Sequence, residues 1–316
     1  MTAPVDQALG RALLAPRSVA IVGASADPTK TSSRPLRYLL ESGFAGKIYP
    51  VNPRADEILG QQAWASIADL PEVPDLAFIL LPNELAIDAV AQCGARGIRA
   101  AIVLASGFSE AGAEGRAREA RLLSTAAAGN VRLLGPSSLG LANFHENLVL
   151  TGNAAFAEPG VEAGGVFCAS QSGSMIGALM SRGKAKGIGF ASLVSVGGEA
   201  DISLGALCEA TLDDPRVTSY MLFLESFRDS ESLRRFAVGA ARRGKPIAAL
   251  KLGRSRAAAE IAVSHTGALA GDDDLADAFL SDCGIARVET IDALLEVGSL
   301  LRRVPVLVPE RAKRPV

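Results

Sequence analysis

The apolar residues of this chain fall into short unbroken runs, and stretches with helical periodicity separate them. Strands buried on both faces give such runs, and their alternation with helices predicts a parallel, doubly wound α/β sheet. In the first half the predicted strands are residues 19–23, 47–52, 76–81, 100–105 and 131–134, and the predicted helices are 35–42, 84–96 and 113–127. The first 17 residues are expected to be a short, partly polar lead-in.

The pattern stops between residues 147 and 164, where Gly, Ala, Asn and Pro are frequent and no periodicity is visible. We expect the domain boundary there, with a first domain at 1–147, a second at 148–303 and a proline-rich tail or linker at 304–316. The predicted strands of the second domain are 165–169, 190–196, 219–224, 246–252 and 285–288, and its helices are 175–184, 204–211, 230–243, 274–281 and 291–302.

Composition narrows the class of protein. A length of 316 residues suits two domains, and the hydrophobic fraction of 49% supplies ample core. The net charge of −2 argues against a nucleic-acid-binding surface. We see no apolar run long enough for a membrane span and no signal peptide, and four widely spaced cysteines without metal-ligand spacing suggest buried thiols, so a cytoplasmic protein is expected.

The loop after the first strand is suited to an anion. Ligands of open α/β sheets bind at the carboxyl ends of the strands. This loop leads into a helix, whose N-terminus favours a phosphate group. Its small, hydroxyl and basic residues include Gly23, Ala24, Ser25, Lys30 and Arg34. The dinucleotide motif Gly-x-Gly-x-x-Gly is absent from it.

The second strand ends in Asn52-Pro53-Arg54, where an NAD-binding domain would present an acidic residue to the ribose. A basic residue suits a nucleotide with an additional ribose phosphate, such as coenzyme A or NADP. Alternatively, Arg54 is a solvated turn residue, and the residue alone does not decide between the two. Without the glycine motif and the acidic residue, an NAD(P)-dependent oxidoreductase is disfavoured.

Several strands of the second domain are predicted to end in small, hydroxyl or charged residues. The first ends in the tight polar turn Ser170-Gln171-Ser172-Gly173, which opens a helix and suits an anion. By itself this turn is equally well explained as an ordinary helix start. The next strand ends lie at residues 196–201, 224–226 and 253–255. Their convergence predicts a ligand site at this edge of the sheet.

His265, in the small-residue run 264–271, is one of only two histidines in the chain. Imidazole is a nucleophile near neutral pH and forms covalent intermediates. Glu225, at the end of a predicted strand, is the natural carboxylate partner to fix its tautomer. The alternatives are a hydrogen-bonded loop histidine and a surface glutamate, and spacing alone supports the two interpretations of Glu225 equally.

Taken in order, these motifs resemble the nucleoside-diphosphate-forming acyl-CoA synthetases. That family includes the ADP-forming acetyl-CoA synthetases and, more remotely, the succinyl-CoA synthetase α subunit. The resemblance spans residues 10–302, and the motifs that carry it are residues 19–25, 48–53, 106–110, 135–140, 170–173, 224–226, 251–255 and 264–267. It implies a Rossmann-like CoA-binding domain followed by a flavodoxin-like domain.

The resemblance also implies roles for individual residues. His265 would carry the phosphoryl group and Glu225 would orient it. The implied phosphate-binding residues are Ser170, Gln171, Ser172, Gly173 and Gly267. The implied CoA contacts are Gly23, Ala24, Ser25, Lys30, Asn52, Pro53 and Arg54, and the implied lining of the pantetheine path is Pro82, Ser106, Gly107 and Phe108. Two departures from the family lie near the expected acyl and phosphate site: Ser137 where the family usually has Asn, and Gly197-Gly198 where it often has Gly-Asn.

By this resemblance, phosphate converts an acyl-CoA to an acyl phosphate, and His265 passes the phosphoryl group to ADP. The family's nucleotide step, with ATP or ADP and Mg²⁺, belongs to an ATP-grasp domain, for which we see no room after residue 302. We therefore expect an ATP-grasp β subunit or fused domain as partner, an oligomer, no metal site of this chain's own and no turnover with ADP by the chain alone. The alternative is a non-catalytic CoA-binding regulatory module, which would be expected to have lost the histidine.

Overall fold

The computed structural model describes residues 5–253 and 273–301. Statements about the structure refer to these residues. The predicted site residues His265 and Gly267 and the predicted tail at 304–316 lie outside them.

Parallel strands form the first sheet. In chain order the strands of the first half are β1 (Ser18–Val22), β2 (Lys47–Val51), the separate small hairpin β3 (Glu57–Ile58) and β4 (Gln61–Gln62), β5 (Leu76–Ile79), β6 (Ala100–Val103) and β7 (Arg132–Leu134). The sheet order is β2-β1-β5-β6-β7 with every neighbouring pair parallel. The order reverses between β1 and β5, which makes the carboxyl end of β1 the place where this fold binds ligands.

The helices of the first half are α1 (Gln7–Leu14), α2 (Arg34–Glu41), α3 (Asn83–Arg96) and α4 (Gly112–Gly129). Helix α1 lies within the predicted lead-in, for which no helix was predicted. The Asp6 carboxylate caps it by accepting a hydrogen bond of 2.7 Å from the Leu9 N–H, and Leu9 and Leu13 are buried. A capping residue and two leucines one turn apart are enough to dock a short helix on the core.

A second, larger sheet contains β8 (Gly140–Asn143), β9 (Leu148–Thr151), β10 (Ala163–Ser170), β11 (Phe190–Ser195), β12 (Ser219–Leu224), β13 (Ile247–Lys251) and β14 (Ala286–Val288). Its order is β14-β13-β12-β10-β11-β8-β9, and β10 to β14 are parallel. Its helices are α5 (Gly173–Ala185), α6 (Leu204–Glu209), α7 (Ser230–Arg242), α8 (Asp273–Asp282) and α9 (Ile291–Leu301). The prediction of two doubly wound α/β domains is confirmed. Here the order reverses between β10 and β12.

The hairpin β8–β9 belongs to the second sheet, because β8 pairs antiparallel with β11, with Leu141 opposite Val194. The predicted boundary after Asn147 therefore falls in the turn of this hairpin. These strands were not predicted, because their pattern is short and a pairing distant in sequence stabilises them. By sheet membership, the second unit begins at Gly140.

The two sheets are joined by direct bonds as well as by the chain. The Asp201 carboxylate, after β11, accepts hydrogen bonds from Arg132 Nε at 2.9 and 3.0 Å and from the Leu133 N–H at 2.8 Å. The Ile202 N–H donates to the Leu133 carbonyl at 3.1 Å, and the Gly198 N–H donates to the Pro136 carbonyl at 2.7 Å. These bonds hold the carboxyl end of β7 against the loop that follows β11.

Buried thiols fit the expectation drawn from the cysteine spacing. Cys93, Cys168, Cys208 and Cys283 are free and buried. Burial raises the pKa of Cys93 and Cys168 to about 12, so these thiols are neutral at physiological pH. Within residues 5–253 and 273–301, no helix combines the length and apolarity needed to cross a membrane, and no three His, Cys, Asp or Glu side chains are grouped as metal ligands.

Candidate active site

The turn after β10 lies where the order of the second sheet reverses. The Ser170 hydroxyl donates to the Ser172 carbonyl at 2.8 Å and accepts from the Ser172 N–H at 3.1 Å, which closes the turn. Helix α5 begins at Gly173. The Ser172 side chain does not cap it but contacts the Ser174 hydroxyl at 3.2 Å. The first N–H groups of α5 therefore have no side-chain cap from Ser172, an arrangement suited to an anion.

A cavity of about 100 Å³ opens at this turn, and both domains contribute to its wall. Ser109, Glu110 and Ser137 come from the first domain, and the residues from the second are Gln171, Ser172, Gly173, Gly197, Gly198, Glu225, Ser226 and Arg228. All of these residues are polar or glycine, so the cavity suits a small polar ligand such as phosphate. The structure thus brings most of the predicted phosphate turn and Glu225 together. It adds Ser109 and Glu110, to which no role was assigned from the sequence, and Ser137, which was expected only to lie near the acyl and phosphate site.

Glu225 lies directly after β12 and is half-buried at the cavity wall. Its backbone N–H donates to the Gln171 side-chain oxygen at 2.5 Å, and the Ser226 N–H donates to the same oxygen at 2.9 Å. Lys251, at the end of β13, lies close enough to interact electrostatically with Glu225. Burial lowers the pKa of Lys251, and the Glu225 carboxylate opposes that shift. A carboxylate and a partly buried amine are therefore electrostatically coupled at the ends of β12 and β13.

The Gln171 side chain, predicted to bind phosphate, is engaged within the protein. Its nitrogen donates to the Glu199 carboxylate at 2.8 Å and to the Ser226 carbonyl at 2.9 Å, while its oxygen accepts the two N–H groups of Glu225 and Ser226. We call these four hydrogen bonds the Gln171 clamp. They connect the carboxyl ends of β10, β11 and β12. The Gln171 side chain thus has a structural role that was not predicted from the sequence.

Glu199 is the functional candidate that sequence reasoning missed. It follows β11, only 7% of its surface is exposed, and its φ of 51° lies in the left-handed region. Burial raises the pKa of its carboxyl to about 7, although hydrogen bonds from Gln171 and from the Leu204 N–H favour the ionised form. Buried carboxyls with perturbed pKa values concentrate at functional sites. The available signal was an acidic residue directly after two glycines at a strand end.

The predicted CoA loop surrounds the carboxyl end of β1. Asn52 connects it to the end of β2: its side-chain nitrogen donates to the Ala24 carbonyl at 2.8 Å, and its oxygen accepts the Arg54 N–H at 2.9 Å. Gly23 has a φ of 88°, and a Cβ there would lie 2.8 Å from a methyl group of Leu81. Pro53 and Arg54 are exposed next to Asn52.

Nearby, Ser25 accepts the Asp27 N–H at 3.1 Å, and the exposed Lys30 ammonium lies 3.8 Å from the Asp27 carboxylate. Exposed basic side chains thus stand at the ends of both β1 and β2. That donor set fits the phosphates of CoA.

The loop predicted to line the pantetheine path leads to the cavity. Pro82 and Ser106 are exposed at the ends of β5 and β6. The Gly107 N–H donates to the Glu110 carboxylate at 2.6 Å, and the same carboxylate oxygen lies 3.5 Å from the Ser137 hydroxyl. Phe108 is different: its ring is completely buried in the core of the first domain, so the side chain does not face a ligand.

Comparison with known proteins agrees with this architecture. Residues 17–143 match the model of a CoA binding domain, and residues 163–301 match the succinyl-CoA ligase like flavodoxin domain. Over 92% of its length the chain is 36% identical to an ADP-forming acetate–CoA ligase of Methanocaldococcus jannaschii. Over 93% it is 35% identical to the α subunit of ADP-forming acetate–CoA ligase I of Pyrococcus furiosus.

Among solved structures, it superposes on acetyl-coenzyme A synthetase 1 of Ca. Korarchaeum cryptofilum, in complex with phosphate and ADP, with a TM-score of 0.87 and 33% identity over 94% of this chain. The chain belongs to the family of nucleoside-diphosphate-forming acyl-CoA synthetases. It spans 40% of the Methanocaldococcus ligase and 63% of both the Pyrococcus subunit and the Korarchaeum chain.

Proposed function

We propose that this chain is the α-type portion of an ADP-forming acyl-CoA synthetase, an acid–thiol ligase that acts through an acyl phosphate and a phosphohistidine at His265. The cavity shared by the two domains carries the proposal. In this cavity the first domain contributes Ser109, Glu110 and Ser137, and the second contributes Glu225 and the turn that ends at Gly173. A thioester held by the first domain would meet phosphate held by the second at this place.

The proposed reaction proceeds by three transfers. A phosphate oxygen attacks the thioester carbonyl, the C–S bond breaks, and CoA leaves as the thiol after taking a proton. A nitrogen of His265 then attacks the phosphorus of the acyl phosphate, the bond from phosphorus to the acyl oxygen breaks, and the carboxylate leaves. Finally an ADP oxygen takes the phosphoryl group and frees the histidine. Each step depends on positioning and charge neutralisation, which a helix N-terminus and glycine-rich loops supply.

For CoA, the proposed contacts are the β1 loop with Lys30 and the exposed pair Pro53 and Arg54, while Asn52 holds the two loops together. Ser170, Ser172 and Gly173 hold phosphate, and Glu225 orients the phosphorylated ring. The nucleotide and Mg²⁺ are assigned to an ATP-grasp subunit or domain, in an oligomeric assembly in the cytoplasm. These assignments rest on the geometry above and on the kinship of the two domains.

We propose that the two departures from the family pattern shape the choice of acyl group, because both line the cavity. Ser137 has a φ of 59°, a conformation that asparagine adopts readily. At Gly198 a Cβ would lie 3.4 Å from its nearest neighbour, the Pro136 carbonyl oxygen, which is an ordinary contact. Ser137→Asn and Gly198→Asn should therefore fold and shift the order of preference in a panel of acyl-CoA substrates. An unchanged order would contradict the assignment.

The deciding experiment is phosphorylation of His265. The chain is incubated with an acyl-CoA panel and labelled phosphate, beside His265→Ala. An acid-labile, alkali-stable label that the variant lacks supports the proposal, and the acyl-CoA that labels fastest indicates the substrate. If no label forms, even after an ATP-grasp partner, ATP and Mg²⁺ are added, the proposal is refuted and a CoA-binding regulatory module takes its place.

A further inference from the structure

The Gln171 clamp fixes the orientation of its own amide group. Two backbone N–H groups, those of Glu225 and Ser226, point at one end of the amide, so that end must be the oxygen. The nitrogen therefore faces Glu199 and the Ser226 carbonyl and has an acceptor for each of its two protons. All polar atoms of the side chain are satisfied only in this orientation.

Glu199 completes the clamp from the far side. Its carboxyl group receives two donors, the Gln171 nitrogen and the Leu204 N–H. An ionised carboxylate accepts both. A protonated carboxyl or a glutamine amide is a weaker acceptor, because hydrogen bonds to an ionised group are shorter and stronger than those to a neutral group. The clamp is therefore tightest when a carboxylate stands at this position.

We propose that Glu199 is a positioning residue that holds Glu225 in place through Gln171. This inference rests on the proposed function, in which Glu225 orients the phosphorylated His265. Glu199 itself does not line the cavity of about 100 Å³, whereas Gln171 and Glu225 do. Its effect on the chemistry would thus be indirect. Glu199, after β11, accepts the Gln171 amide nitrogen, and the Gln171 oxygen accepts the N–H groups of Glu225 and Ser226 at the end of β12. The clamp joins the ends of β11 and β12 only while Glu199 serves as this acceptor.

The clamp should respond to pH near neutrality. The pKa of Glu199 is raised to about 7 by burial, with the charges of Arg228 lowering it and Asp229 raising it, and the Cys208 thiol also faces the group. Because the ionised form is the stronger acceptor for both donors, the clamp is tightest above this pH and weakens below it. Glu225 should therefore be held most firmly at mildly alkaline pH.

One test does not depend on catalysis. Backbone amide signals of Glu225 and Ser226 are followed by NMR from pH 5.5 to 8.5 in the full chain. We expect both to show a transition near pH 7 that disappears in Glu199→Gln and persists in Glu162→Gln, which changes an exposed carboxylate. If the two amides show no transition in the wild type, or show the same transition in Glu199→Gln, the proposal is overturned. If Glu199→Gln fails to fold, the same titration in His265→Ala decides, because a transition that is lost there comes from the imidazole and overturns the proposal.

A second test measures the rate of His265 labelling by acyl-CoA and labelled phosphate in a double-mutant cycle. Glu199→Gln should slow labelling about ten-fold, the scale of replacing a charged hydrogen-bond acceptor by a neutral one. In a Glu225→Gln background the same change should cost less than about two-fold, because residues that act as one unit are not additive. Additive effects would show that Glu199 acts elsewhere. If neither the wild type nor any variant is labelled, even with an ATP-grasp partner, ATP and Mg²⁺ present, while the amide transition is observed, the proposed function fails and the clamp stands.

Discussion

The burial of Glu199 makes a quantitative prediction about stability. Burial raises the pKa of its carboxyl from the ordinary value of 4.5 to about 7 in the folded chain. Between these values the folded state keeps a proton that the unfolded state has lost. Raising the pH through this window therefore removes stability, and the loss from this group is complete above pH 7. A difference of this size corresponds to about 3 kcal/mol, a large share of the stability of a typical domain.

The assay is urea unfolding followed by circular dichroism at pH 5, 6, 7 and 8, for the wild type and Glu199→Gln. Subtracting the variant's free energy of unfolding removes the contributions of all other titrating groups. Across the measured range, pH 5 to 8, we expect the wild type to lose about 2.5 kcal/mol relative to the variant, most of it between pH 5 and 7. Glu162→Gln, at an exposed site, should give a flat difference. Parallel curves for the wild type and Glu199→Gln would refute the claim that burial governs this carboxyl.

Three further predictions concern the junction and the ligand. Gly197→Ala should destabilise the chain by about 3 kcal/mol, because φ is 64° and a Cβ would lie 2.2 Å from the Pro136 carbonyl oxygen. In the control Gly198→Ala the Cβ would lie 3.4 Å from the same atom, so the cost should be less than about 1 kcal/mol. Urea unfolding midpoints compare the two variants. Asp201→Asn removes the charged acceptor that joins the two sheets and should lower the free energy of unfolding by about 2 kcal/mol. Asp213→Asn, in an exposed ion pair, should lower it by less than about 1 kcal/mol. Equal losses of stability in the two variants would contradict the argument. CoA should stabilise the chain by about 2.7 kcal/mol at a concentration one hundred times its Kd, and it should therefore raise the melting temperature. NAD should leave the melting temperature unchanged, and a shift with NAD alone would favour a different nucleotide.

The order of strands and helices was predictable because the strands of a doubly wound sheet are buried on both faces. Runs such as residues 219–224 are buried along their whole length, so each strand is visible as an unbroken apolar run. Helix α1 and the hairpin β8–β9 were missed for different reasons. The first was judged by its overall polarity although Asp6 and two leucines were available as signals. The second depends on pairing with β11, which lies some fifty residues further along the chain.

The site was predictable in outline only. Polar residues at strand ends indicated that residues 170–173 and Glu225 would meet, because parallel strands present their carboxyl ends at one edge. The sequence could not show that Gln171 faces inward to bond Glu199 and two backbone N–H groups. That arrangement depends on the relative heights at which β10, β11 and β12 end. It also could not show that Phe108 turns into the core while its neighbour Gly107 stays at the surface loop.

The antiparallel hairpin has a consequence for how such chains can be cut and recombined. A cut after residue 147 would leave β8 with one fragment and β9 with the other, and it would expose the edge of β11, whose residues are all buried. Unpaired sheet edges are templates for aggregation. Fragments or gene fusions that keep both sheets intact must therefore divide the chain before Gly140. For exchange between relatives, the interchangeable unit is the sheet with its hairpin, and the junction that breaks least structure lies between β7 and β8.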